Sequence, residues 1–302
     1  MNPLNRLVAS SLPFVPKSIV SHFAKRYIAG GKFDDAASAV HDINTDNMMA
    51  TIDLLGEDAT TEKDAIAARE ACKNVLGEIS HQHLDSNLSV KLTQLGLKLD
   101  RQFCTDNLLD ILEVARQVGN FVRIDMEDST CTDDTLEIYR AARKSFDNVG
   151  VAIQAYLRRS EADVRELVKE NANIRLCKGI YVEPEQIAFQ GREEVRENFV
   201  KLLDLLVENR CYVGIATHDD AVVRAAYRLV QSMQLNAHEY EFQMLLGVRR
   251  ELRSEIVQRG HRMRIYVPFG EHWYEYSIRR LKENPRIVGN ILRSVFTSDH
   301  AA

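Results

Sequence analysis

One alternation recurs eight times along this chain and restricts its fold more than any other feature. Short apolar, β-branched runs stand at Met49–Leu54, Asn87–Leu92, Phe121–Asp125, Val151–Tyr156, Asn173–Cys177, Tyr212–Ala216, Tyr240–Met244 and Arg262–Val267. Between them lie amphipathic helical patterns such as Thr61–Ile79, Asp106–Val118, Thr135–Phe146, Glu161–Glu170, Glu193–Asn209 and Ala221–Ser232. A further one, Trp273–Glu283, follows the last run. Nearly continuous apolar runs suit strands covered on both faces, and intervening helices supply the crossovers that a parallel sheet needs. Eight such units are the number that closes a barrel. The rival is an open doubly wound sheet, which normally follows its first strand with G-x-G-x-x-G, and no such motif occurs here. The expectation is an α/β chain with a single (β/α)8 TIM-type barrel over residues 48–302. A helical segment over residues 1–47 packs on it.

The remaining classes are narrowed by charge and cysteine usage. A formal net charge of −5 over 302 residues offers no basic excess for a nucleic-acid partner. Five cysteines are scattered singly without a CxxC pair, which supports neither a disulfide framework nor a structural zinc site. No stretch approaches the roughly 18 apolar residues of a spanning helix. Near the N-terminus, Ile19, Val20, Phe23, Tyr27 and Ile28 share one helical face, Lys17, His22, Lys25 and Arg26 the other, and Gly30-Gly31 ends the pattern. Such a helix either packs on the main domain or lies on an anionic membrane surface.

In a barrel, chemistry collects where strands end and loops begin. The polar residues that interrupt the apolar runs do fall in or just after the second halves of the strands: Glu57, Lys91, Asp125, Gln154, Arg175 with Lys178, Thr217 with His218, and Tyr266. Facing the interior, Lys91 needs an anion or carbonyl, or it serves as a Schiff-base lysine; facing outward, it snorkels. Asp125 orients a cation, accepts a proton or binds a metal. Its neighbours Glu127 and Asp128 invite the metal reading, but no further ligand stands at clear spacing. Arg175 and Lys178 place two cations at the end of the fifth strand, and Gly179 lets a ligand approach the backbone. That build suits a phosphate or an electron-rich ring. Thr217 and His218 suit a phosphate or ribose, and the Gln154 amide needs a buried partner such as a ring edge. The segment His81-Gln82-His83 precedes the second strand, on the opposite rim. In the last helix Tyr276, Arg279, Arg280 and Glu283 are surface neighbours. Two adjacent guanidinium groups favour an anion and can grip a carboxylate in parallel, although a solvated face with an ordinary ion pair has the same spacing. Together these groups suit a small anionic substrate beside a phosphate-bearing cofactor. Two further readings stay open: a Schiff-base aldolase or lyase using Lys91 or Lys178, and a barrel that binds an amino acid without catalysis.

Five segments in register, Ser89-Val90-Lys91-Leu92, Ile124-Asp125-Met126-Glu127, Arg175 to Tyr181, Ala216-Thr217-His218-Asp219 and Tyr276 to Glu283, resemble the proline dehydrogenase family in its monofunctional bacterial style. The likeness runs from about Met49 to Asn290. It implies a (β/α)8 barrel holding FAD without a Rossmann fold. The implied reaction is oxidation of L-proline to Δ1-pyrroline-5-carboxylate, the first step of proline breakdown to glutamate. It further implies a membrane quinone as electron acceptor, a cytoplasmic protein able to touch the inner face of the membrane, and a separate pyrroline-5-carboxylate dehydrogenase for the product. By the same resemblance Arg279 and Arg280 clamp the substrate carboxylate with Lys91 as a third cation, and Tyr276 and Glu283 support the clamp. Asp125 is the active-site acid that orders Lys91, and it is the one residue placed to act as a base. Arg175 hydrogen-bonds the flavin at N5. Met126, Gln154, Lys178, Gly179, Ile180, Thr217 and His218 contact the flavin. Tyr266 packs beside the proline ring and crowds a 4-hydroxyl group, and Glu57 pairs with Arg279 as a gate. The chain departs from many relatives at Val182, where they carry an aromatic residue, and at Ile180, where alanine is common.

Overall fold

A computed structural model describes residue 24 and residues 26–56, 58–274 and 276–278. Eight parallel strands close a barrel in chain order: β1 (Met49–Leu54), β2 (Ser86–Val90), β3 (Val122–Ile124), β4 (Val149–Gln154), β5 (Ile174–Cys177), β6 (Val213–Ala216), β7 (Tyr240–Leu245) and β8 (Met263–Phe269). The crossovers are α2 (Glu62–His81), α3 (Arg101–Gln117), α4 (Thr132–Arg143), α5 (Ser160–Lys169), α6 (Arg192–Glu208), α7 (Asp220–Ser232) and α8 (Arg250–Gln258), and α1 (Phe33–Thr45) precedes β1. The expected (β/α)8 architecture is present. Helix α1 buries Ala36, Ala37, Val40 and Ile43 in the main core. Its Phe33 meets Phe269 of β8 edge-on, ring centroids 6.0 Å apart. Most of the helix expected at Ile19–Ile28 lies outside the described residues.

Alternate residues of a strand face opposite ways, and here the two sets differ in chemistry. Ile52, Leu88, Val122, Val151, Ile174, Phe242 and Ile265 are buried and share one core with helical residues such as Leu76, Leu108, Leu202 and Ile256. The other set is polar and meets across the barrel. Ser89 of β2 bonds Arg175 of β5, and Tyr266 of β8 bonds Asp125, just beyond β3. Strands three apart in a closed barrel reach one another only through the lumen. Branched aliphatic side chains usually fill that space. In this chain it holds charges, so the hydrophobic core is the shell between barrel and helices.

Several boundaries differ from the sequence expectation, each for a local reason. Strand β2 ends at Val90, which makes Lys91 the first residue beyond it. Strand β4 begins at Val149 and includes Gly150, where any side chain would collide with the Arg123 guanidinium. Helix α3 starts at Arg101 rather than Asp106 because the Asp100 carboxylate accepts from Phe103 N at 2.7 Å and caps it. Helix α8 occupies the β7–β8 connection, where the periodicity does not reveal a helix. Its charged sequence buries only Leu252, Arg253 and Ile256.

Candidate active site

The strand ends bring together a partly buried cluster of opposite charges. Asp125 follows β3 directly, and its backbone N–H continues the ladder to Val90 O at 2.9 Å. Its Oδ1 accepts from Ser89 Oγ at 2.7 Å and from an Arg175 guanidinium nitrogen. Its Oδ2 accepts from the Tyr266 phenol at 2.7 Å and lies 3.7 Å from Lys91 Nζ. The nearer partner of Lys91 is Asp53 of β1, at 2.5 Å. Arg175 also donates to Gln243 of β7 at 2.7 Å, and its guanidinium carbon stands 5.2 Å from the Tyr266 ring centre. Six strands thus contribute to one site. Three of its members, Asp53, Ser89 and Gln243, were not among the site residues singled out from sequence. Asp53 gave the same signal as Lys91, a charge within an apolar run.

The electrostatics of the cluster decide which protonation states it holds. Burial favours a neutral Asp125, but Arg175 and Lys91, with hydrogen bonds from Ser89 and Tyr266, outweigh it and hold the carboxyl below its ordinary range. Burial likewise disfavours the Lys91 ammonium, yet Asp53 and Asp125 beside it raise its proton affinity above that of a free lysine. Burial and the same two carboxylates push the Tyr266 phenol well up. At neutral pH Asp125 is therefore a carboxylate, Lys91 an ammonium and Tyr266 a neutral phenol that donates. A lysine so firmly protonated is a poor Schiff-base nucleophile. Lys178 is exposed, without the desolvation such a nucleophile uses. An aspartate so acidic and already bonded to several donors is ill suited to take a proton from an amine.

The neighbours that sequence reading grouped with Asp125 do other work. Glu127 accepts from Thr93 N at 3.0 Å and Thr93 Oγ1 at 2.5 Å, and Asp128 accepts from Thr130 N at 2.9 Å. Each holds a loop. Among the described residues no group of His, Cys, Asp or Glu is disposed to hold a metal.

Residues expected around the flavin line the same rim. Gln154 donates through Nε2 to the Met126 and Glu127 carbonyls, both at 3.2 Å. Its Oε1 is buried and has no hydrogen-bond partner, an acceptor in want of a donor. Gly179 adopts φ +102°, and a side chain there would run into the Tyr156 ring, so only glycine fits. Ile180 and Val182 are exposed, Val182 almost fully. Thr217 Oγ1 accepts from Asp219 N at 3.1 Å. His218 Nε2 accepts from Leu245 N at 3.0 Å, which assigns the ring proton to Nδ1. Tyr276 is buried among Ala24, Ile28 and Leu55. Glu57, Arg279, Arg280 and Glu283 lie outside the described residues.

Two cavities bear on the site. One, of about 190 Å³, opens at the C-terminal rim between Lys91, Gln94, Lys98, Glu127 and Tyr181. The other, of about 610 Å³, lies at the opposite mouth and is lined by His83, Asn87, Arg123, Glu241 and Arg264. Size alone favours the second, but the Asp53–Lys91 and Asp125–Arg175 pairs and the unsatisfied Gln154 acceptor belong to the first end.

Comparison with known proteins identifies one family and one shared fold. The family model for proline dehydrogenase matches residues 36–292. "Proline dehydrogenase 1" of Bacillus subtilis is 39% identical over 272 residues, 90% of this chain and 90% of the relative. "Proline dehydrogenase" of Deinococcus radiodurans is 33% identical, covering 91% and 90%. Among solved structures, proline utilization A (PutA) from Bdellovibrio bacteriovorus, inactivated by N-propargylglycine, superposes with a TM-score of 0.82 at 26% identity. That match covers 87% of this chain but only 33% of the solved one, so the chain spans about a third of that larger protein. PutA of Bradyrhizobium japonicum shares the fold, with a TM-score of 0.74 at 22% identity.

Proposed function

The chain belongs to the proline dehydrogenase family, and on that premise we propose that it oxidises L-proline to Δ1-pyrroline-5-carboxylate with FAD held at the C-terminal rim. The observation that carries the reading is the Asp53–Lys91–Asp125–Arg175–Tyr266 cluster, which fixes two cations with carboxylate partners in a partly buried setting where a small carboxylate and a flavin can both use them. When bound, the flavin supplies the hydride acceptor.

The residues present fit that cofactor. Gln154 Oε1 is a buried acceptor without a donor, which a ring N–H would satisfy. Gly179 at positive φ permits close backbone approach, and Met126, Lys178, Ile180, Thr217 and His218 would be the other residues to contact the cofactor. In this reading Arg175, the catalytic cation, would hold the flavin at N5 and would supply positive charge there. Arg279 and Arg280 clamp the substrate carboxylate with Lys91, Tyr276 and Glu283 support the clamp, and Glu57 gates it through Arg279. The clamp's purpose is to hold the donor carbon within about 3–3.5 Å of its acceptor. Asp125 is an organiser: it holds Arg175, Tyr266 and Lys91 at once, and its lowered proton affinity is the wrong direction for a base. Tyr266 closes the far side of the substrate, so 4-hydroxyproline should turn over less efficiently than proline; equal kcat/KM for both would refute that role. With Val182 and Ile180 in place of an aromatic and a small residue, the adenine end is held less tightly. A membrane quinone takes the electrons and a separate pyrroline-5-carboxylate dehydrogenase takes the product. The contact with that quinone is peripheral in this reading; no helix among the described residues is long and apolar enough to cross a membrane.

Product chemistry tests the reading. Flavin-loaded protein given L-proline and an artificial electron acceptor should form a cyclic imine that o-aminobenzaldehyde traps as a coloured adduct. Absence of the adduct, or covalent capture of substrate on Lys91 by borohydride, would move the Schiff-base lyase to first place.

A further inference from the structure

Arg175 is tied to a chain of side chains that continues down the lumen. Its Nη1 donates to Asp125 and, at 3.1 Å, to Ser89 Oγ, while its Nε donates to Gln243 Oε1 at 2.7 Å. The other end of the Gln243 amide, Nε2, donates to Glu241 Oε1 at 2.6 Å. Glu241 is anchored in turn by Arg264, whose Nε donates to the same oxygen at 2.7 Å. Glu241, Gln243 and Arg264 are all buried.

The order of donors and acceptors in this chain is one-directional. A primary amide could turn either its oxygen or its NH2 toward Arg175, and the second choice would set donor against donor. Glu241 removes that choice, because an ionised carboxylate only accepts. Burial opposes its ionisation, but Arg264 and the surrounding hydrogen bonds hold it below the ordinary carboxyl range. The Gln243 NH2 must therefore face Glu241, and its oxygen must face Arg175. An independent feature of the backbone makes room for the arrangement. Gly214 of β6 lies between Arg175 and Glu241 in the strand register. A methyl group there would strike the Gln243 amide.

We propose that Glu241 and Gln243 are positioning residues that set the plane of the Arg175 guanidinium for hydride transfer from proline. This rests on the reading of Arg175 beside the flavin. With Nη1 held by Asp125 and Nε held by Gln243, two in-plane bonds fix the fork against rotation, and Arg264 locks the far end.

Three variants test it. Gln243→Leu removes the acceptor for Arg175. Gln243→Glu keeps that acceptor but sets a second carboxylate against Glu241. The exchange Glu241→Gln with Gln243→Glu gives Arg175 an acceptor again, with the new amide turned so that its NH2 donates to residue 243 and its oxygen accepts from Arg264, and the charge moved one place. Flavin content should match the parent protein in all three. For Gln243→Leu and Gln243→Glu, KM for proline should stay within about twofold while kcat falls about ten- to a hundredfold, the scale of a misplaced catalytic group. The exchanged pair should recover most of that loss, a rescue that simple packing does not predict. A second readout needs no flavin. In flavin-free protein labelled with 15N-arginine, the Arg175 Nε–H signal, assigned by its loss in Arg175→Lys, should exchange slowly with solvent in the parent and the exchanged pair. It should broaden in Gln243→Leu. An unchanged signal in Gln243→Leu, parent-like kcat in that variant, or an exchanged pair no better than Gln243→Glu overturns the proposal. A parent protein that shows the signal changes yet is not reduced by proline leaves the positioning intact and overturns the functional reading instead.

Discussion

Asp53 is a buried carboxylate and Asp125 a partly buried one, yet each is matched to a different cation, and the matching explains their energetics. Removing one partner of a buried ion pair leaves an uncompensated charge, at a cost of about 3–5 kcal/mol. A whole domain is stable by only about 5–15 kcal/mol. Asp53→Asn should therefore lower the melting temperature markedly, and adding Lys91→Met should restore part of the loss; equal stability of the single variant and the parent would show that Asp53 is not the counter-ion. The pH dependence has a definite sign. The lowered Asp125 adds stability that is complete above the ordinary aspartate value of 3.8 and is lost as pH falls through its folded value. The raised Lys91 adds stability that is complete below the ordinary lysine value of 10.5 and is lost as pH rises through its folded value. In thermal melts across acid pH, the gap between parent and Asp125→Asn should close as pH drops below about 4; a gap that persists there would contradict the assignment. Lys91, Asp125, Arg175 and Tyr266 were legible in the sequence because each breaks an apolar run near a strand's end. What was not legible was their pairing. The partner of Lys91 lies on another strand, and neither the Asp53 carboxylate nor the Gln243 amide announces which cation it will meet.

At the scale of elements, the rim is built by short connections whose backbone does as much as their side chains. The loop after β5 carries Gly179 at positive φ against Tyr156, followed by the exposed Ile180 and Val182. If that loop covers the adenine end of the cofactor, Val182→Trp should tighten flavin binding by about three- to tenfold, the worth of one stacking contact. Fluorescence titration of the flavin-free protein measures it, and unchanged affinity would place the adenine elsewhere. Gly214→Ala should lower kcat without loss of flavin, because it displaces Gln243. Element order was readable from periodicity since helix and strand alternate with different periods. Boundaries were less so: glycine at position 150 reads as a strand breaker, whereas its missing side chain is the space that Arg123 occupies. Helix α8 escaped notice because the charge-rich stretch from Arg249 to Gly260 offers few apolar positions to carry a period.

On the scale of the whole molecule, the barrel separates two jobs. Its outer face and the helices supply the hydrophobic core, which leaves the lumen for paired charges: Asp53 with Lys91, Asp125 with Arg175, and Glu241 with Arg264. The lumen therefore contributes a rigid polar column rather than additional apolar burial, and the column ends at the rim where substrate and cofactor would meet. In the proposed reaction proline would deliver its electrons to a flavin held there. The visible spectrum of the flavin-loaded protein, followed under anaerobic conditions as L-proline is added, tests this. The flavin bands should bleach with proline, and Arg175→Met, with flavin still bound, should bleach far more slowly. A flavin spectrum indifferent to proline, or a protein that takes up no flavin at all, would contradict it.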